Sequence, residues 1–205
     1  MTRPQVLTIG HSTHTIEQFC DLLLTHNVTA IADVRSAPYS RYQPDFNREL
    51  LHQALTDREI AYVFLGRELG ARPSDPGLYE DGRVQFRRLA DTELFHAGLD
   101  RVLQGAQRYR LALMCAEKEP LDCHRTLLVG RELEARGAEL SHIHADGRIE
   151  TSAAAMSRLL ALLKLPEEDL FRKRDEMVAE ACLQQAKRIA YVDRELRAAS
   201  LEALA

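Results

Sequence analysis

The chain has 205 residues, 45% of them hydrophobic and 28% charged, with a formal net charge of −4. That is ordinary globular composition, long enough for one domain with a sizeable core, or for one domain with a helical appendage. The mildly acidic balance gives no global attraction to nucleic acid or to an anionic membrane, so any phosphate site must be local.

In chain order, Val6–Ile9 is a short apolar run ending in Gly10-His11-Ser12-Thr13, which reads as a first buried strand. Thr15 or Thr13 can cap the next helix, and Ile16, Phe19, Cys20 and Leu23 give its apolar stripe. Val28–Val34 reads as a second buried strand that closes at Asp33-Val34-Arg35. A polar, proline-containing loop follows, and then a helix over about 47–57 with Leu50, Leu51, Ala54 and Leu55 inward. Ile60–Leu65 is a third strand. The segment 66–83 carries four of the ten glycines. An irregular stretch that long inside a compact domain is usually functional or poorly ordered.

Val84 to Tyr109 reads as helix, in one or two pieces. Leu111–Met114 is a fourth strand running into Cys115. Cys123 to Gly137 reads as one helix with Leu127, Leu128 and Leu133 inward and Gly137 as its stop. Leu140–His144 is a fifth strand, Asp146-Gly147 a turn, and 153–165 and 167–205 are amphipathic helices. Alternating strands and helices predict an α/β fold: a mainly parallel twisted sheet of about five strands flanked by helices. Residues 1–150 form this domain, and 151–205 a helical extension that packs on it or mediates assembly, with a homodimer as one outcome.

No apolar run approaches the roughly 20 residues that cross a bilayer. The start, MTRPQVLTIGHS, lacks the apolar core and cleavage site of a signal peptide. A cytoplasmic protein without membrane contact is expected, and a reducing compartment disfavours disulfides among the four cysteines. Cys20 and Cys182 sit on apolar helical stripes and read as small buried hydrophobes.

Ligands of parallel sheets bind outside the carboxyl ends of the strands. His11-Ser12, Asp33–Arg35, Gly66-Arg67 and Cys115-Ala116-Glu117 all fall at such ends, so four regions are expected to converge on one edge. In Cys115–Arg125 (CAEKEPLDCHR), Cys123, His124 and Arg125 lie near the start of a helix. Free N–H groups there favour an anion and lower a thiol pKa. Arg125 adds a forked donor, and His124 can move a proton near neutral pH. A purely structural account has Asp122 capping the helix, with Cys123 as packing. In DVRSAPYSR, Asp33 is a candidate base or a brace for Arg35. Arg35 and Arg41 are candidate anion ligands, Ser40 a hydroxyl donor and Tyr39 a stacking surface. His11 alone reads as structural; its place after the first strand makes it a site candidate.

No cofactor is expected. Cys115, Cys123 and His124, with His11 as a fourth, offer zinc ligands, but Cys-x7-Cys-His is not a standard zinc spacing and adjacent residues rarely both reach one metal. There is no Walker motif, no GxGxxG and no GxSxG elbow. Tryptophan is absent, and no basic stretch alternates with aromatics, which argues against a general single-strand platform.

The motifs GHST, DVRSAPYSRYQPDFN, LGRELGARP with LYEDGRV, CAEKEPLDCHR and HADGRIE together resemble the domain of unknown function family 488. The resemblance spans about residues 5–150, and the C-terminal helices are similar to the extension of many members. Arg67 and Ala71 depart from it, standing where glycines are common. The resemblance implies an α/β fold and a polar site drawn from His11, Ser12, Asp33, Arg35, Pro38, Ser40, Arg41, Cys115, Glu117, Cys123, His124 and Arg125. A weaker likeness to rhodaneses and cysteine phosphatases rests on the DVR strand end and a loop cysteine, although no Cys-x5-Arg signature starts at Cys115.

The reading that joins these features is an enzyme of open reaction class acting on a phosphate-bearing substrate, such as a nucleotide or nucleic-acid component. Arg35, Arg41 and Arg125 hold the anion, with Ser12, Tyr39 and Ser40 beside it. His11, Asp33, Glu117 and His124 form the acid–base pool, and Cys115 or Cys123 is a candidate nucleophile. The rivals are a non-catalytic anion or nucleic-acid binding module and phosphatase-like or rhodanese-like thiol chemistry.

Overall fold

The computed structural model describes residues 3–168 and 170–202. Its centre is a six-stranded sheet. Strand β1 (Gln5–Gly10) lies in the middle. Helix α1 (Ile16–Thr25), strand β2 (Ala30–Asp33), helix α2 (Arg48–Thr56) and strand β3 (Ala61–Phe64) follow. After them come a helical turn α3 (Gly66–Leu69), a small hairpin of β4 (Tyr79–Glu80) and β5 (Arg83–Val84), and helices α4 (Phe86–Ala90) and α5 (Glu93–Ala106). Strand β6 (Leu111–Cys115), a short helix α6 (Arg131–Ala135), β7 (Glu139–Ile143) and β8 (Ile149–Thr151) complete the sheet. Helices α7 (Ser152–Leu162), α8 (Arg174–Ile189) and α9 (Arg194–Glu202) close the chain.

The strand order is β3-β2-β6-β1-β7-β8. All pairs are parallel except β7 with β8. The fold class expected from the sequence is the one observed, with one strand more: the turn at Asp146-Gly147 is followed by an antiparallel edge strand. Gly147 has φ +82°, as a tight reversal requires.

The central strands β1, β2 and β6 are buried on both faces, which accounts for their continuous apolar runs. Alternation assigns side chains to the two layers. Leu111, Leu113 and Cys115 enter the core shared with Phe95, Leu99 and Leu133 on one face, and Ala112 and Met114 enter the core shared with Phe19, Leu23 and Leu51 on the other. Thr15 caps α1 in a capping box with Gln18. Leu50 is 55% exposed, so the inward face of α2 is carried by Leu51 and Leu55 rather than by the four residues expected.

Three helix expectations are corrected. The stretch 123–137 is not one helix: Cys123 is extended (φ −135°, ψ 140°), a π-helix covers Arg125–Gly130, and α6 ends before Gly137 at φ +88°. Helix α7 stops at Leu162 rather than Leu165. Lys164 has φ +56°, and Pro166 cannot donate a helical hydrogen bond. The expected helix 167–205 is two helices separated at Ala190 (ψ 134°), and the described residues before Arg174 are not helical. Residues 169 and 203–205 of that expectation lie outside the described residues. Helices α7 and α8 pack on Leu121 and Leu127 through a third apolar cluster that includes Met156, Leu159 and Met177. None of the described helices is long and apolar enough to cross a membrane.

Candidate functional site

Strand β6 ends at Cys115, paired with Gly10 of β1. The pairing continues past both strands, with His11 N–H donating to Cys115 O (2.9 Å) and Ser12 N–H to Ala116 O (3.0 Å). The chain then leaves the sheet and makes a 3-10 turn at Pro120–Asp122, where the Glu119 carboxylate accepts from Leu121 N–H at 3.0 Å. Extended geometry at Cys123 and helical geometry at His124 (φ −62°, ψ −24°) follow. This break turns two neighbouring side chains toward the same point.

That point is a cluster of Cys115, Glu117, Cys123 and His124, whose potential ligand atoms all lie within 4.8 Å of one another. Glu117 Oε2 is 2.8 Å from Cys115 Sγ and 3.1 Å from Cys123 Sγ. His124 Nδ1 is 3.7 Å and 3.9 Å from the same two sulfurs, and its Nε2 lies 3.0 Å from Val34 O. A carbonyl oxygen only accepts, so Nε2 carries the proton, and in the neutral ring Nδ1 presents a lone pair to the sulfurs.

Burial pushes the Cys115 thiol well up, reinforced by Cys123 and Glu117. Burial also opposes ionisation of Cys123, but its hydrogen bond to Cys115 and the charges of Arg125 and His124 outweigh that and hold it well below the ordinary thiol value. Burial likewise opposes the charged form of His124, and the neighbouring Cys123 more than compensates.

Arg125 is fully buried. Its Nη1 donates to Glu117 O (2.7 Å) and its Nη2 to Lys118 O (3.4 Å), so the guanidinium holds the 115–118 loop in place. The expected role as an open anion ligand does not fit this placement. Asp33, also fully buried, accepts from Arg35 Nε (2.9 Å), Arg35 Nη2 (2.7 Å) and Tyr62 OH (2.8 Å). Both its oxygens are spent on its own neighbours, which makes it a brace rather than a free base. Burial and Asp33 together push the Tyr62 hydroxyl pKa up strongly.

The cluster opens into a pocket of about 240 Å³ lined by Arg35, Ser36, Ala37, Ala71, Arg72, Phe86, Cys115, Ala116, Glu117, Asp122, His124, Ile189 and Tyr191. Of the sequence candidates, the pocket gathers Arg35, Cys115, Glu117 and His124, with Cys123 directly behind them. His11 is not among its walls. Its ring stacks on Phe46 at 4.3 Å between centroids, and burial, aided by Arg35, lowers its pKa to about 4. It packs on Phe46 outside the pocket walls, away from the cluster of Cys115, Glu117, Cys123 and His124.

Ser12 (φ 51°) lines a separate hollow with His14, Lys118 and His144. Tyr39, Ser40 and Arg41 stay in the loop. Tyr39 OH donates to Glu49 (2.7 Å), Ser40 N–H to Asn47 Oδ1 (2.7 Å), and Arg41 to Tyr42 OH (2.6 Å). None of the three reaches the pocket.

Sequence reasoning missed Arg72, Phe86, Ile189 and Tyr191. The Arg72 guanidinium sits 4.7 Å over the Tyr191 ring, and the Arg72 backbone N–H donates to Ser36 Oγ at 3.0 Å. The only signal for Arg72 was its place in the glycine-rich segment already marked as functional. Ile189 and Tyr191 come from the end of α8, anchored where Gln185 Nε2 donates to Asp122 Oδ1 (2.9 Å) and Leu121 O (3.2 Å). Nothing local in the sequence marks them.

A family model described as Domain of unknown function DUF488 matches residues 15–131, more than half of the chain. The chain belongs to the DUF488 family. The matched range is narrower than the 5–150 expected from the motifs: it holds the DVR loop and CAEKEPLDCHR, and leaves GHST and HADGRIE outside. No curated protein and no solved structure matches the chain. In this DUF488 chain, the elements around the Cys115–His124 cluster therefore include two inside the family range, β2 and β6, and one beyond it, the end of α8.

Proposed function

We propose that the chain is an enzyme acting on a small phosphate-bearing substrate, a nucleotide or nucleic-acid component, with its chemistry at Cys115, Glu117, Cys123 and His124. One observation carries this reading: a single pocket is lined by Arg72, whose guanidinium is the candidate anion ligand, together with Cys115, Glu117 and His124, while the Arg35 guanidinium behind that wall is engaged by Asp33 and by Phe46 O. Stacking on Tyr191 engages the face of the Arg72 guanidinium and leaves its N–H edge for an anion. Phe86, Ile189 and Tyr191 supply an apolar wall of the kind that receives a base or a similar ring, beside the few polar groups that fix orientation.

Thiol chemistry of the rhodanese or phosphatase kind has less support. Cys123 is fully buried and accepts a single backbone N–H, from Arg125 at 3.4 Å, rather than a ring of them. The binding-module reading differs from the enzyme only in turnover.

The test is calorimetric titration with nucleoside monophosphates and inorganic phosphate, followed by a turnover screen on phosphate esters. Arg72→Ala is expected to weaken binding by about tenfold or more, the scale of one charge-assisted contact. Glu117→Gln is expected to keep binding and lose turnover. Binding that is indifferent to Arg72→Ala overturns the anion site, and full turnover by Glu117→Gln removes that residue from the chemistry.

A further inference from the structure

We propose that Cys115, Cys123 and His124, with Glu117 in the fourth position, bind one zinc-type divalent cation. The distances favour it. Zinc bonds of about 2.3 Å to sulfur and about 2.1 Å to nitrogen or oxygen put tetrahedral ligand atoms about 3.6 Å apart. The His124 Nδ1 to sulfur distances are 3.7 and 3.9 Å. Glu117 Oε2 is nearer the sulfurs, at 2.8 and 3.1 Å. Glu117 as a residue is exposed, and a withdrawal of about 0.5–0.8 Å brings its carboxylate oxygen to the tetrahedral edge.

The surroundings favour it as well. His124 is oriented from outside the cluster by Val34 O at 3.0 Å, the outer-shell arrangement that fixes a ligating imidazole. The two sulfurs are buried, and Cys115, Glu117 and His124 line the pocket, which provides an entry path on one side. Three acidic groups converge here, two of them on a single carboxylate oxygen. Without a cation, protons must fill the gaps between them. Two thiolates with an imidazole form a donor set suited to zinc rather than to magnesium or calcium.

The objection from spacing is answered by the backbone. Adjacent Cys123 and His124 both reach the point because one is extended and the other helical.

The metal's part in turnover rests on the enzyme reading above; its binding does not. The full-length chain, purified without chelator, is assayed for metal by elemental analysis and titrated with zinc against a chromophoric chelator. One zinc per chain is expected, with affinity reduced more than about 100-fold by Cys123→Ser or His124→Ala, beyond the usual cost of losing an outer-shell partner. Cobalt substitution gives a second readout that does not depend on those variants folding: a thiolate-to-cobalt charge-transfer band, reduced in Cys115→Ser and retained in Glu117→Gln. Two free thiols with no zinc bound and no such band overturn the proposal, as does equal zinc affinity in the variant lacking Cys115, Cys123 and His124 together. Stoichiometric zinc in a protein that turns over no phosphate ester sustains this inference while overturning the enzyme reading.

Discussion

Substituting Gly10 tests how tightly the site loop is held against the sheet. A Cβ built at Gly10 lies 1.9 Å from Glu117 O and 3.3 Å from Arg125 Nη1. The first contact is impossible, and its partner is backbone, so Gly10→Ala must push the Glu117 carbonyl away by more than an ångström. That carbonyl is the 2.7 Å acceptor for Arg125, and the displacement breaks the bond. Overpacking a tight site costs about 1–3 kcal/mol. Losing a hydrogen bond to a charged donor adds about 1.5–3 kcal/mol. Together they predict a loss of about 2.5–6 kcal/mol, on the order of 10 °C in Tm for a chain of this size. Urea denaturation of Gly10→Ala measures it. Gly137→Ala is the control. Gly137 has a positive φ of +88° but nothing within 4 Å of its Cβ position, so only the backbone cost of about 1 kcal/mol applies. A Gly10→Ala protein within about 0.5 kcal/mol of wild type, the range of ordinary surface substitutions, refutes the reasoning.

Three further outcomes are expected. Asp33→Asn strands the buried Arg35 guanidinium, whose Nε and Nη2 both donate to Asp33, and destabilises by about 3–5 kcal/mol in denaturant titration; a loss under about 1 kcal/mol contradicts the brace. Glu150 is held down to about 2 by its hydrogen bond to Arg158 and by His144. Its stabilisation is therefore fully present above the ordinary value of 4.5 and is lost as pH falls from there toward 2. Because Arg158 is 39% exposed, the effect is discounted to about 1–2 kcal/mol, and Arg158→Ala should flatten that part of the stability–pH curve. Gln185→Leu removes the donor to Leu121 O and Asp122 Oδ1 and should cost about 1–3 kcal/mol. An unchanged urea midpoint for that variant contradicts the anchoring of α8 on the site loop.

Much of the sheet was legible because each buried strand announces itself as an apolar run closing on a polar residue. Val6–Ile9 closing on Gly10-His11 and Leu111–Met114 closing on Cys115 are the clearest cases. The edge strand β8 was not, since Ile149–Thr151 is short and half polar, and a turn alone explains its sequence. The pairing of Asp33 with Arg35 could be stated from sequence as one of two options; burial of both decided for the brace. The role of His11 depended on Phe46, which reaches it only through the tertiary fold.

The site itself was half visible. CAEKEPLDCHR marked the right loop, but a regular helix from Cys123 was assumed, and on a regular helix consecutive side chains diverge by about 100°. The extended conformation of Cys123 removes that obstacle, and no residue pattern foretold it. Arg125 was misplaced for a related reason: sequence shows a forked cation near an anion-friendly turn, while only the packing under Gly10 shows that it is fully buried, with Nη1 and Nη2 donating to the Glu117 and Lys118 carbonyls. Arg72 and Tyr191 are 119 positions apart, and their stacking across the pocket is purely tertiary.

The most direct measurement is a crystal structure of the zinc-supplemented chain soaked with a nucleoside monophosphate, with anomalous scattering to locate metal. The account predicts a metal peak bounded by Cys115, Glu117, Cys123 and His124, and the phosphate within hydrogen-bond reach of Arg72 in the same pocket. A phosphate seated instead in the hollow of Ser12, Lys118 and His144, with the Arg72 pocket free of it, contradicts the account.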